Sequence, residues 1–253
     1  MKIAINSLPR AGTKILQANF HRYLKAAKYD VLCPLGEESI VEPFLFSNVE
    51  HDLQVTRTTI GVIDDYKVNF VKTYKSPKPL NSEIQNRFEL LVNMPQSWVY
   101  KISPWVKFDP ILYESASRLD KSVAIIRHDV FDHAFSYTFA RAIKIWQPGE
   151  KMNEALKMYA SDPIKLDLNE FEWIYKWFLR WNKIKWVQNI QVVDFHEMVK
   201  INGSKEFCDF FNLPPVEFDF KRFKIEFGDN KRKMISNLKD LRTLARRLDN
   251  DNQ

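Results

Sequence analysis

The stretch Asn6-Ser7-Leu8-Pro9-Arg10-Ala11-Gly12-Thr13-Lys14-Ile15-Leu16 concentrates the residue types that bind an anion. It lies between a short apolar run, Ile3-Ala4-Ile5, and a segment whose apolar spacing predicts a helix. Where a strand turns into a helix, backbone N–H groups converge, with the positive end of the helix dipole behind them. Gly12 lets the backbone approach an oxyanion closely. Arg10 and Lys14 add two cations and Thr13 adds a hydroxyl, a set that suits one phosphate or sulfate. The other reading is an ordinary strand–turn–helix corner with charge on its surface. The stretch is not a Walker A loop, which needs G-x-x-x-x-G-K-[ST]. Here Gly12 precedes Thr13 and then Lys14, and no upstream glycine opens the loop, so ATP or GTP hydrolysis loses support.

The elements that must position this loop are legible along the chain. Leu16, Phe20, Tyr23, Leu24 and Ala27 recur at helical spacing over Thr13–Ala27. Thr59–Tyr74 reads as strand or hairpin broken at Asp64-Asp65, and Trp98–Ile102 as a strand stopped by Pro104. Ser122–Ile126 is a third strand, Phe131–Trp146 a helix and Asn169–Trp186 a longer helix. Gln191–Val193 is the last strand, followed by helices near Lys205–Phe211 and Lys231–Leu248. Strands alternating with helices predict an α/β domain: a mostly parallel central sheet with helices on both faces, three layers in all, and a helical C-terminal part. No linker signal or internal repeat divides the chain, so residues 1–253 are expected to form one domain.

Composition narrows the classes. With 45% apolar and 28% charged residues the chain is an ordinary globular one, and disorder over most of it is excluded. Only 6 glycines exclude collagen-like and glycine-linker readings. The apolar runs are too short for a transmembrane helix, and the opening run before Pro9 is too short for a signal-peptide core. The expectation is a cytoplasmic protein with no membrane partner. Cys33 and Cys208 lack a CxxC partner and read as small buried side chains, and the five histidines show no metal spacing. No metal is expected.

The net charge of +6 is uneven, because between Lys221 and Arg247 ten basic residues face only Glu226, Asp229 and Asp240. Such a concentration favours an anionic partner, although a solvated helix face explains it as well.

The order Pro9-Arg10-Ala11-Gly12-Thr13 resembles the 5′-phosphosulfate loop, Pro-(Lys/Arg)-Ser-Gly-Thr-Thr, of the sulfotransferases that use 3′-phosphoadenosine 5′-phosphosulfate (PAPS). Ala11 stands where Ser is usual and Lys14 where the second Thr is usual. Arg at the second position is similar to tyrosylprotein-type and many bacterial or phage members. A second stretch agrees. Ser122–Tyr137 is an apolar strand ending in Arg127, a turn, and a helix with Ser136 in its early part. It resembles the family's 3′-phosphate motif, Arg-Asn-Pro-x-Asp-x-Ala-x-Ser. Nine positions separate Arg127 from Ser136, one more than usual, and His128-Asp129-Val130 replaces Asn-Pro. A helix turns by about 100° per residue, so the turn must absorb the extra residue if Ser136 is to point correctly. Val192–Met198 and Glu206–Pro214 look like the family's final strand and its Phe-Leu-Gly helix, which shape the fold and touch no substrate. Lys231-Arg232-Lys233 sits where many members place a basic loop against the 3′-phosphate.

The resemblance implies a P-loop nucleoside-triphosphate-hydrolase-like fold and a metal-free transfer. A sulfuryl group would pass from PAPS to a hydroxyl or amine, with adenosine 3′,5′-bisphosphate as product. Arg10 and Lys14 would neutralise charge on the bridging oxygen and the sulfuryl group, and Ala11, Gly12, Thr13 and Lys14 would hold the 5′-phosphate. Arg127 would offer a planar fork to the 3′-phosphate, helped by Ser136, Lys231, Arg232 and Lys233. The other reading of Arg127 is an ion pair with a carboxylate at a strand end. Cytosolic members carry a basic His after Lys-Thr; the matching segment here, Lys101-Ile102-Ser103-Pro104, lacks it. Carbohydrate and tyrosine enzymes use a Glu after the first helix, which favours Glu38 among Glu37, Glu38 and Glu42, all three of which also read as solvated loop acids. Lys101 is a further candidate for reaching the sulfuryl group. Trp173, Trp177 and Trp181, spaced by four, line an acceptor pocket or, more simply, pack in the core.

Two other functions compete. One is nucleic-acid binding by the basic 221–247 segment, which shows no known binding motif. The other is a nucleotide binder of the same fold that has lost transfer, motivated by Lys14 and the missing His. The acceptor stays open among small alcohols, glycans, lipids and peptide tyrosine, and the oligomeric state is not legible.

Overall fold

A computed structural model describes residues 1–32, 59–63, 66–69, 81–102, 118–145, 150–184, 189–223 and 232–251. Four strands, β1 (Lys2–Ser7), β4 (Trp98–Ile102), β5 (Lys121–Ile126) and β6 (Ile190–Asp194), make a sheet in the order β4-β1-β5-β6. Every pairing in it is parallel: Ile3 faces Val99 across β1 and β4, Ile5 faces Val123, and Ile125 faces Val193. Parallel strands need crossovers, and the helices α1 (Thr13–Ala26), α2 (Asn81–Asn93), α3 (Val130–Ile143), α4 (Glu150–Ser161) and α5 (Leu168–Asn182) lie between them in the chain. A separate antiparallel pair, β2 (Thr59–Ile63) and β3 (Tyr66–Asn69), falls where the hairpin is expected.

Alternation along the strands divides the core into layers. Ile3, Ile5, Val99, Val123, Ile125 and Val193 point to one face and meet Leu16, Phe20, Tyr23 and Leu24 of α1. Phe207 and Phe211, from α7 (Ser204–Phe210) and its end, close the same layer, with ring centroids 5.1 and 4.9 Å from Phe20. Ala4, Trp98 and Tyr100 point the other way and meet Phe88 and Leu91 of α2. Beside them, α3, α5 and α8 (Leu238–Asn250) bury Phe135, Phe139, Phe171, Phe178, Leu241 and Leu248 together. The fold is therefore α/β, a parallel sheet between helical layers with a helical C-terminal part.

Particular side chains set where elements begin. Asp167 caps α5 by accepting from the Glu170 N–H at 2.8 Å. Glu170 in turn pairs with Arg141 of α3. Ahead of α8, the buried Asn237 amide both accepts from Leu166 N (3.0 Å) and donates to Leu166 O (2.9 Å). Ile235 bridges to Ile164, so α8 starts at Leu238 rather than at the expected Lys231. Helices α2 and α4 are additions to the elements expected from the sequence. Cys208 is buried as expected, while Cys33, Glu37, Glu38, Glu42, Ser103, Pro104 and Lys231 lie outside the described residues.

Candidate functional site

From β1 the chain next joins the sheet on one side, as β4, and then returns to the other side, as β5 and β6. The carboxyl ends of β1 and β5 therefore flank the point where the winding reverses, the place where open α/β sheets leave a crevice for ligands. Both sequence motifs emerge there. Ser7, the last residue of β1, pairs with Ile125, one residue short of the end of β5. Arg10 follows Ser7 by three residues and Arg127 follows Ile125 by two, so the topology brings the two expected phosphate arms to adjacent strand ends.

The first loop, Pro9–Lys14, turns through two left-handed residues. Arg10 has φ 68° and Gly12 φ 71°, both left-handed. For an arginine that conformation costs about 1–2 kcal/mol and is sustained by its surroundings. Gly12 is favoured by its φ, and a Cβ there would lie 3.2 Å from Met198 Cε and 3.3 Å from Phe195 Cε2, close enough that these side chains would have to give by a few tenths of an ångström. Its carbonyl accepts from Ile15 N and Leu16 N, both at 3.1 Å, so the N–H groups of Thr13 and Lys14 precede the first helical bonds of α1. The Thr13 hydroxyl lies 2.5 Å from the buried Ser7 hydroxyl, which fixes its direction. Ala11 is buried, Arg10 half-buried and Lys14 exposed.

At the second strand end, Arg127 is buried and engaged. Its Nε donates to Asp129 Oδ1 at 3.0 Å and its Nη2 to Asp129 Oδ2 at 2.6 Å. The guanidinium lies 4.3 Å over the Phe195 ring. Asn182, at the end of α5, donates to the Arg127 carbonyl, and Trp181 Nε1 donates to the Ile125 carbonyl at 2.9 Å, so α5 holds this strand end in place. The carboxylate pairing weighed above as the alternative for Arg127 is thus present. Burial alone would raise the Asp129 pKa, but the bond and charge of Arg127, with His196, hold it below the usual carboxylate value.

Residues after β6 complete the wall. Asp194 accepts from His196 N at 2.8 Å and from Glu197 N at 3.3 Å, capping α6 (Phe195–Met198). His196 Nε2 lies 3.2 Å from Asp129 Oδ1, and His128 Nε2 lies 3.7 Å from Asp194 Oδ2. These crossed pairs tie the turn after β5 to the turn after β6. The Val192–Met198 segment, expected only to shape the fold, places Phe195 and Met198 directly against Gly12.

The remaining expected residues spread out. Ser136 is buried on α3, one turn beyond His133 on the same helix face. Arg232 donates to both Asp132 oxygens, at 2.6 and 2.8 Å, which holds Arg232 on the first turn of α3, while Lys233 is exposed. Lys101 lies in β4 opposite Ile5, next to the strand's last residue. Trp181 is core, Trp173 is 55% exposed, and Trp177 packs between them against Tyr137 and Phe178.

Sequence reasoning missed Asp129, His133, Phe195 and His196. His133 is buried on α3 with its Nε2 2.8 Å from the Pro9 carbonyl. Its pKa falls to about 3, first through burial and then through the charge of Arg127, with Arg10 acting in the same sense. A carboxylate two residues from an arginine in a strand-end turn was the signal available for Asp129.

No protein-family model matches the sequence, and no curated protein matches it. A solved structure described as the sulfotransferase domain from the curacin biosynthetic pathway aligns with 97% of this chain and 89% of its own, at 16% identity and a TM-score of 0.35. A likeness that weak leaves function to the chain's own residues. Among the described residues no helix is long and apolar enough to cross a membrane.

Proposed function

We propose that the chain is a sulfotransferase that moves a sulfuryl group from PAPS to a hydroxyl or amine acceptor. The observation that supports this most is the adjacency of two motif-bearing turns, Pro9–Lys14 and Arg127–Ser136, at the reversal point of the parallel sheet. The left-handed cradle around Arg10 and Gly12 suits the sulfuryl and 5′-phosphate end of the donor. Arg127, Ser136 and the basic residues Lys231, Arg232 and Lys233 take the 3′-phosphate end.

In the reaction the acceptor atom bonds to sulfur while the bond from sulfur to the 5′-phosphate oxygen breaks, its electron pair leaving with adenosine 3′,5′-bisphosphate. Arg10 and Lys14 offset the charge on that oxygen, and the N–H groups of Gly12 through Lys14 hold the phosphate in line. The acceptor's proton passes to a carboxylate, which the resemblance assigns to Glu38. The acceptor classes are small alcohols, glycans, lipids and peptide tyrosine, the protein works in the cytoplasm, and one domain carries the activity.

Thermal unfolding with adenosine 3′,5′-bisphosphate, ATP or an oligonucleotide tests the donor site. A ligand at 100 times its Kd adds about 2.7 kcal/mol of stability, and the bisphosphate is the one expected to do so. A panel of acceptors with radiolabelled donor then tests transfer. A shift by oligonucleotide alone contradicts the proposal and favours nucleic-acid binding. A second reading, a nucleotide binder without transfer, is motivated by Lys14 standing where a second Thr is usual and by the missing His in Lys101-Ile102-Ser103-Pro104. It predicts a bisphosphate shift with no acceptor sulfated.

A further inference from the structure

We propose that His133 is the positioning residue of the anion loop: as a neutral imidazole it donates one hydrogen bond to the Pro9 carbonyl and so pins the turn after β1 to the helix after β5. The inference rests on reading Pro9–Lys14 as an anion site.

The geometry carries it. Pro9 and His133 are 124 positions apart, and Nε2 stands 2.8 Å from the Pro9 oxygen. A carbonyl only accepts, so Nε2 carries the proton, and a neutral imidazole then leaves Nδ1 bare. The ring is 2% exposed and lies against Phe178, with centroids 4.3 Å apart. Its charged neighbours are Arg127 and Arg10, which oppose a positive ring, and Asp129, which favours one. Burial and the two arginines prevail, so the donor bond keeps one form across ordinary pH.

Its place in the loop explains its use. Pro9 immediately precedes left-handed Arg10, and two residues later comes left-handed Gly12. Pro9 has no N–H, so its carbonyl is the one backbone hydrogen-bonding group this residue offers. The same bond joins the element that follows Arg127 to the element that carries Arg10, which sets the spacing of the two cations. Packing alone does not call for His, since a phenyl ring fills similar space.

The experiment compares His133→Phe, which keeps a ring and loses the donor, with His133→Gln, whose amide reaches the Nε2 position. The first readout is amide hydrogen exchange of Arg10–Lys14 in the ligand-free protein; the second is calorimetric affinity for adenosine 3′,5′-bisphosphate. H133F is expected to speed loop exchange and weaken the nucleotide by about tenfold each, and H133Q to restore both to within about threefold. Should H133F not fold, His133→Asn, whose amide ends short of Pro9, takes its place. The proposal is overturned if loop exchange in the donor-less variant stays within about twofold of wild type, or if H133Q is as impaired as H133F. If wild type binds no bisphosphate, the donor reading fails, while the exchange comparison still decides the role of His133.

Discussion

Arg127 and Asp129, two residues apart at the end of β5, form a two-pronged ion pair, Nε to Oδ1 at 3.0 Å and Nη2 to Oδ2 at 2.6 Å. The carboxylate holds the fork in the manner a phosphate would. A phosphorylated ligand must therefore share the fork or displace Asp129 toward His196, whose Nε2 is 3.2 Å from the same carboxylate.

Asp129→Asn removes the competing charge. In the absence of ligand the variant is expected to lose about 1–3 kcal/mol, because a buried guanidinium loses its counter-charge. Its affinity for adenosine 3′,5′-bisphosphate is expected to rise about tenfold. Calorimetric titration of both proteins reads the change; equal affinities would mean that Arg127 takes no part in phosphate binding.

Gly12→Ala tests the cradle. The new methyl meets Phe195 and Met198 within 3.3 Å at a φ of 71°, so a stability loss of about 1–2 kcal/mol is expected, with bisphosphate binding lost. Urea unfolding and the ligand-induced shift measure the two effects. A variant that binds as wild type does would show that the backbone N–H groups of this turn do not face the ligand.

The pH dependence of stability has a signature in His133. Its pKa is about 3 in the fold against the ordinary histidine value of 6.5, so the unfolded chain binds the extra proton as pH drops. Stability is complete above about pH 6.5 and falls as pH goes from there toward 3, by about 2 kcal/mol at pH 5. Asp129, with its lowered pKa, acts in the same direction in a lower window: its share is present above the usual carboxylate value and lost as pH falls through the folded one. Urea titrations at pH 7 and pH 5 are expected to show a smaller loss in His133→Gln than in wild type. Parallel losses would mean that the imidazole is not held neutral.

Arg10→Ala is expected to lower the transfer rate by about a hundredfold or more, since charge develops on the oxygen this cation faces in the proposal. Single-turnover assays with saturating donor separate that effect from weaker binding.

The sheet strands and the principal helices were legible because their signals are local. Ile3-Ala4-Ile5 alternates between two buried layers, and Leu16, Phe20, Tyr23 and Leu24 share one face of α1. Helix α2 carries the same kind of signal in Ile84, Phe88 and Leu91, all buried. The start of α8 was misplaced because tertiary contacts set it: Ile235 bridges Ile164 and Asn237 clamps Leu166. In the site, Gly12 and Arg127 were legible from residue type and spacing. The partners were not, because Asp129 curls back onto Arg127 through turn torsions, and His133 meets Pro9 only through the order in which β1 and β5 pair.

In the proposed function two turns at adjacent strand ends grip one nucleotide by its two phosphate ends. Titration of the wild-type protein with adenosine 3′,5′-bisphosphate and with adenosine 5′-monophosphate tests it most directly. The bisphosphate is expected to bind at least about tenfold more tightly, and Arg127→Ala is expected to erase the difference. Equal affinity for the two nucleotides, or a preference that survives Arg127→Ala, would contradict it.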